Sequence, residues 1–410
     1  MTAPDRTAEL GAHRVASGEE ALAIARDLAR DLAAEAGDRD RDRRLPAAEV
    51  ARLAASGLLG ITVPRRFGGP ELDIAVLTEV FRLLATADAS VSQIPQSHFV
   101  FLEVIRLQGD EQQQAFFFGE ALDGRLFANA QSERTTRTVA EDATTLAPRL
   151  GGGHVLDGTK YYATGTLFAD WLAVRAGLPH LPAPAGGPPP RAIAYVRRTT
   201  PGVVVEDDWD GLGQRTTASG TVRLDRVQVP DDHVVAFDPI FAGPTTYGAR
   251  AQVLHAAIDA GIARGALQAA VDLVARARPW FEAGVEHAAD DPLVVQQAGE
   301  AEVTVRSAEA LLGEAARAIR RAEVDLGDDT TAAASIATAA AKVVAARAAV
   351  EVGDVLFELG GTRSTAAPLN ASRHWRDART HTVHDPTRWK VQHIGRWVLS
   401  DVAPPRHGLL

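Results

Sequence analysis

The sequence predicts an α+β fold in three successive parts: an N-terminal helical domain (1–125), a central β-barrel or sandwich (126–240) and a C-terminal four-helix bundle (241–410). Three observations lead there. Apolar residues recur at helical spacing through the first third of the chain. Short β-rich runs broken by Gly, Pro and Asp follow from about Arg125. Long Ala-rich helices then occupy the chain from about Tyr247 onward. A length of 410 residues also exceeds the ~250–300 at which a single core divides.

In the first part, "GEEALAIARDLARDLAAEAGDRDRDRR" places Ala, Ile and Leu among charges, as an amphipathic surface helix does. "PAAEVARLAASGLLG" is a second helix, with Gly57 and Gly60 near its end. "ELDIAVLTEVFRLLATADASV" is a third and "DEQQQAFFFGEAL" a fourth, with Asp110 as N-cap. The run Phe116–Phe118 belongs to a core, since three adjacent aromatics do not all face water. In the second part, "GHVLDGTKYYATGTLFADWLAVRA", "RAIAYVRR", "GVVVEDDW" and "SGTVRLDRVQVP" read as strands, and "LPHLPAPAGGPPPR" as an exposed loop. In the third, helices running from Ala249, from Val294 and from Thr330 carry small residues that permit close axial packing and contact between subunits.

Composition narrows the function. A net charge of −10 with no polybasic tail argues against a nucleic-acid partner. The absence of cysteine excludes disulfides, thiolate zinc sites and cysteine nucleophiles. Residues 1–20 are charged and lack the apolar centre of a signal peptide, and no uninterrupted apolar run reaches the ~20 residues of a membrane span. A soluble cytoplasmic enzyme is the expectation.

Four segments then carry a resemblance: "GLLGITVPRRFGG" (57–69), "KYYATGTLFADW" (160–171), "GLGQRTTASGTVRLDRVQVP" (211–230) and "RPWF" (278–281). In this order they resemble the successive signatures of the acyl-CoA dehydrogenase superfamily, over roughly Glu19 to Trp397. The resemblance implies a flavin between β-domain and helical bundle, in a tetramer. Departures refine it. Where dehydrogenases place Thr-Glu-Pro after the first strand, this chain has "FANAQSERTTRT"; where they place Tyr-Glu-Gly, it has His384-Asp385-Pro386. "HTVHDPTRWK", "DDWDGLGQRTTASG" and "ELGGTRS" resemble instead the sulfur-acquisition oxidoreductases of the SfnB type and, more distantly, dibenzothiophene and alkanesulfinate monooxygenases. That branch implies reduced FMN from a separate flavin reductase, molecular oxygen and a small organosulfur substrate, with FAD as the other possible flavin. No Gly-x-Gly-x-x-Gly strand–helix unit provides a nicotinamide site, which agrees with reduction by a partner.

Oxygen transfer of this kind needs a group that holds or releases a proton near pH 7, in a site that excludes water; histidine has the matching pKa. His381 and His384 stand three apart and share one face of a turn. The resemblance places His384 near the flavin ring, His381 near the substrate, and His98 in the pocket. Asp385 replaces the dehydrogenase glutamate, one methylene shorter and followed by proline, and reads as a salt-bridge or capping residue more readily than as a base. For the flavin, the resemblance implies Tyr162 and Thr164 along the ring, Asn129 and Ser132 at its polar side or ribityl chain, and Trp209 as a wall. It also implies Arg278 and Arg363 as ligands of the flavin phosphate, a task that suits planar bidentate guanidinium groups. No metal site is expected, the histidines and aspartates of 377–389 being accounted for without zinc. An FAD-dependent acyl-CoA dehydrogenase is the alternative, and a non-catalytic DNA-binding protein of the same fold a third reading that the acidic balance disfavours.

Overall fold

A computed structural model describes residues 11–139, 141–183 and 187–410. Among these residues six α-helices come first: α1 (Gly18–Asp42), α2 (Ala47–Ala55), α3 (Ile74–Ala87), α4 (Ala89–Gln93), α5 (Gln96–Gln108) and α6 (Glu111–Leu122). Their starts are written locally. Ser17 caps α1 by accepting from the Glu20 amide, Asp73 accepts from two amides of α3, and Asp110 forms a capping box with Gln113 on α6. The aromatic run of α6 divides: Phe117 and Phe118 are buried, but Phe116 is half-exposed and lies against the His233 ring. The cause is helical geometry, which turns one of three consecutive residues off the packed face.

Among the described residues eight strands follow: β1 (Phe127–Ala130), β2 (Thr145–Pro148), β3 (His154–Ala163), β4 (Trp171–Gly177), β5 (Arg191–Arg197), β6 (Val203–Val205), β7 (Gly220–Val229) and β8 (Val234–Ala236). They form one mixed sheet in the order β6–β7–β3–β2–β4–β5–β8, with β1 parallel to β4. The two halves share a core, because Leu156, Val222 and Leu224 from one and Leu172, Val174 and Ala194 from the other lie in a single apolar cluster. The period-2 alternation of β4 and β5 sends Trp171, Ala173, Ile193 and Tyr195 to the opposite face, onto Phe101, Phe117 and Phe127. Both faces of these strands are thus buried. The short strands β1, β2 and β8 were not separated out by sequence pattern, being three or four residues long.

The C-terminal helices are α7 (Tyr247–Val274), α8 (Pro292–Val324), α9 (Asp328–Gly360), α10 (Ser372–His381) and α11 (Thr387–Ser400). α7, α8 and α9 pack together, with α11 on α9 and α3 on α7. Small residues set the α3–α7 distance: a Cβ at Gly261 would stand 2.5 Å from the Arg82 carbonyl oxygen, and one at Gly265 2.4 Å from that of Thr86. Within the described residues, α9 and its short extension form the one helix long and apolar enough to cross a membrane; more than half of its most apolar stretch is buried in the protein.

α10 is fastened to the sheet by its polar side chains. Arg376 pairs with Asp40 of α1, and the Asp377 carboxylate accepts from the Gln214 amide at 2.5 Å. Gly213 makes the approach possible, since a Cβ there would fall 2.0 Å from the Arg376 carbonyl oxygen. This contact places the end of α10 opposite the end of β3.

Candidate active site

Between sheet and bundle lies a cavity of about 430 Å³, within the size range of small-molecule sites. Its sheet side is Asn129 of β1, Ser132 just beyond it, Tyr162 and Thr164 at the end of β3, Trp209, Gln214 and Ser219. Gln93, Gln96 and Ser97 come from α4 and α5. The bundle side is His255 of α7, Thr380 and His381 at the end of α10, then Val383 and His384.

Each wall is shaped by a local device. The β3–β7 register slips between Lys160 and Ala163, and Tyr162 takes a left-handed φ of 56° within that slip. A bulge of this kind re-aims a side chain, and strain in a non-glycine residue is sustained only where the surroundings enforce it. Tyr162 stands edge-on to Trp209, with ring centroids 6.4 Å apart, and the Trp209 indole N–H donates to the Gln214 carbonyl at 2.8 Å. Lys160, fully buried, donates to Glu133 at 2.7 Å and Asp142 at 2.8 Å, which ties the segment after Ser132 to β3.

The bundle wall is a row of histidines on a buried ion pair. The His381 Nδ1 lies 2.5 Å from Asp259 Oδ1, and Asp259 Oδ2 accepts from Lys342 Nζ at 2.7 Å. All three are inaccessible to solvent. The His255 Nδ1 lies 3.1 Å from His381 Nε2, and the His255 and His384 ring centroids are 4.2 Å apart. Burial lowers the His381 pKa despite the pull of Asp259, and burial with the neighbouring His384, His381 and Lys342 charges sets that of His255 well below its ordinary value. Burial would raise the Asp259 carboxyl, but Lys342 and His381 outweigh it and hold it below the usual carboxylate range.

Both buried imidazoles are therefore neutral, and a neutral imidazole carries one N–H. With Asp259 ionised, His381 donates from Nδ1 and accepts at Nε2. His255 must then donate from Nδ1, leaving its Nε2 lone pair free. The ion pair in the bundle dictates the tautomer at the cavity wall.

Of the residues singled out in the sequence, Asn129, Ser132, Tyr162, Thr164, Trp209, His381 and His384 are brought together around one cavity. His384 follows the last turn of α10 and donates its amide to the His381 carbonyl at 3.0 Å; it is the exposed member of the row. His98 is not among them. Its Nε2 meets the Leu59 carbonyl at 2.8 Å and its Nδ1 accepts from the Phe127 amide at 3.2 Å, so both nitrogens are used by backbone and none remains for a catalytic part. Arg278 and Arg363 lie outside the cavity of the single chain. Arg363 donates to the Arg276 carbonyl at 3.0 Å, which brings it to the segment bearing Arg278, and both are exposed. Asp385 is buried and paired with Lys390, so its carboxylate serves as a salt-bridge partner.

Sequence reading missed His255, Asp259 and Lys342. The available signal was a histidine and an aspartate four residues apart in the otherwise apolar "VLHAAIDAG", and a lone lysine in "TAAAKVVAA". Polar groups on faces that must be buried require partners.

The N-terminal domain model of acyl-CoA dehydrogenases matches residues 18–125 and the C-terminal domain model residues 253–389. The chain belongs to the acyl-CoA dehydrogenase superfamily. Within it, the chain is 31% identical over 405 residues to dibenzothiophene monooxygenase of Rhodococcus qingshengii, spanning 95% of this chain and 96% of that one. It is 33% identical to the probable FMNH2-dependent monooxygenase SfnC of Pseudomonas putida, spanning 94% and 96%. Its structure superposes on FMN-bound TdsC of Paenibacillus sp. A11-2 with a TM-score of 0.90 at 30% identity, covering 95% and 100%.

The buried His98 gives a stability test. Burial lowers its pKa to about 4 from an ordinary 6.5. The folded state thus binds fewer protons than the unfolded state below pH 6.5, and its contribution falls as pH drops toward 4. Relative to His98→Gln, the wild type should lose about 2 kcal/mol of unfolding free energy between pH 7 and pH 5. Denaturant titrations of both proteins at the two pH values measure it; parallel losses would contradict the assignment.

Proposed function

We propose that the protein is an FMN-dependent monooxygenase that inserts oxygen into a small organosulfur compound. One observation in this chain carries the reading. Where an acyl-CoA dehydrogenase needs a free carboxylate to remove an α-proton, Asp385 is committed to Lys390, while a row of imidazoles lines the cavity instead. The kinship with dibenzothiophene monooxygenase and SfnC supports the organosulfur class and the reduced cofactor.

The cavity fits a flavin. It is walled by the aromatic rings of Tyr162 and Trp209, and three of its side-chain oxygens, Asn129 Oδ1, Gln93 Oε1 and Ser97 Oγ, are buried without a hydrogen-bond partner. Buried oxygens of this kind call for a ligand that supplies donors. In this reading Tyr162, Thr164 and Trp209 hold the ring, Asn129 and Ser132 take its polar edge or ribityl chain, and Arg278 and Arg363 of a second copy take the phosphate. Reduced FMN supplies the two electrons with which one atom of O2 goes to sulfur and the other leaves as water. The chain's own part is to exclude bulk water and place protons. In this reading His384, exposed at the cavity, is the proton carrier, while His381 and His255 hydrogen-bond to Asp259 and to each other and leave the His255 Nε2 lone pair to the cavity.

An assembly of several copies, a tetramer in this reading, is supported by exposed apolar side chains beside the arginines: Trp280, Phe281, Leu293 and Val295. A separate flavin reductase provides FMNH2, and the cytoplasm is the compartment where such a partner and its nicotinamide are available.

Three measurements test this. With NADH, FMN and a flavin reductase, screening of sulfides, sulfinates and thiophenes by mass spectrometry should show products heavier by one oxygen; no product across the panel would remove the organosulfur reading. His384→Ala should fold and consume oxygen, but divert most of it to hydrogen peroxide, read by product yield per O2 used. Unaltered coupling would take His384 out of the mechanism. Arg278→Ala and Arg363→Ala should weaken FMN binding at least tenfold, as loss of a charge-assisted bond does, with riboflavin little affected. Equal losses for both ligands would contradict a phosphate role.

A further inference from the structure

Three hydroxyls in the sheet wall form a row whose direction is fixed. Thr217 Oγ1 lies 3.0 Å from the Gln214 carbonyl oxygen, Ser219 Oγ lies 2.7 Å from Thr217 Oγ1, and Thr164 Oγ1 lies 2.8 Å from Ser219 Oγ. A hydroxyl has one proton to give and a carbonyl has none. Thr217 must therefore donate to Gln214. Ser219 must then donate to Thr217, and Thr164 to Ser219. Thr164, the member of the row at the end of β3, has spent its proton and offers the cavity only lone pairs.

The anchor of the row is rigid. The Gln214 carbonyl also accepts the Trp209 indole N–H, the Gln214 amide donates to Asp377, and the Gln214 side chain donates to the Ala89 carbonyl at 3.3 Å. Gln214, Thr217 and Ser219 are all buried, so water does not reset the direction. Around the same cavity, the unpartnered Asn129 Oδ1 and Gln93 Oε1 and the His255 lone pair are further acceptors.

We propose that this hydroxyl row makes the cavity select the two-electron-reduced form of its flavin, with Ser219 and Thr217 as specificity-determining positioning residues that act through Thr164. The proposal rests on the flavin reading given above. Reduction converts the central-ring N5 of an isoalloxazine from a lone-pair acceptor into an N–H donor, whereas N3–H is a donor in both forms. An acceptor-only Thr164 at N5 bonds the reduced ring and faces the oxidised ring lone pair to lone pair. A protein fed with reduced flavin and surrounded by oxidised flavin gains from that distinction.

The test is the ratio of dissociation constants for oxidised and reduced FMN, measured by anaerobic equilibrium dialysis, and in parallel the midpoint potential of bound FMN. The wild type should hold the reduced form more tightly. Ser219→Ala frees the Thr164 proton, and Thr217→Val frees that of Ser219 and lets the row reverse. Each should lower the ratio about fivefold, the worth of one hydrogen bond, mainly by tightening the oxidised form. Thr217→Ser keeps the row and should keep the wild-type ratio, which separates direction from packing.

An unchanged ratio in both Ser219→Ala and Thr217→Val, with FMN still bound, would overturn the proposal alone; it would mean that Thr164 faces N3–H or no donor. Failure of either form of FMN to bind the wild type would overturn the flavin reading and this proposal with it.

Discussion

The Asp259–Lys342 ion pair is the constraint on which the bundle side of the cavity depends. Both groups are inaccessible to solvent, one on α7 and the other on α9, and His381 at the end of α10 completes the contact. Removing charges from water costs several kcal/mol per ion unless they are paired and hydrogen-bonded, and deletion of one partner typically costs 3–5 kcal/mol. Three elements distant in sequence are thus pinned to one geometry. Because the carboxylate stays ionised, His381 and then His255 each have one permitted tautomer. Packing energetics deep in the bundle become hydrogen-bond chemistry at the cavity.

The sheet wall follows the same logic with neutral groups. A backbone carbonyl at Gln214 sets the direction of three hydroxyls, as a carboxylate at Asp259 sets the direction of two imidazoles. Each row begins at a group that can only accept and ends at a side chain lining the cavity. The scaffolding is correspondingly strained where it meets that space: Tyr162, Gln214 and Ala218 all have left-handed backbones. Unfavourable dihedrals of this kind persist where the surrounding contacts over-determine them.

The relation to acyl-CoA dehydrogenases is clearest at Asp385. The fold keeps a carboxylate beside the last turn of α10, but Lys390 of α11 claims it. Burial would raise the Asp385 pKa, yet the nearby His384 ring and the charges of Lys342 and Lys390 hold it far below the usual carboxylate range. A base so stabilised has little appetite for a carbon-bound proton. The same helical frame thereby presents imidazoles to the cavity in place of a free carboxylate.

The amino-acid sequence by itself determined the order of helical, β and helical parts, the caps of α1, α3 and α6, and the superfamily, because periodicities, caps and contiguous motifs are local properties of a chain. It also indicated about half of the cavity lining, since Tyr162, Thr164, His381 and His384 sit inside such motifs. Tertiary structure decided the rest. His98 reads as a pocket residue until the Leu59 carbonyl and the Phe127 amide close on its two nitrogens. His255, Asp259 and Lys342 acquire meaning only when α7, α9 and α10 converge, and the arginines leave the cavity of their own chain. Hydrogen-bond partners and burial come from segments far apart in sequence, and no local pattern encodes which lone pair will be left free.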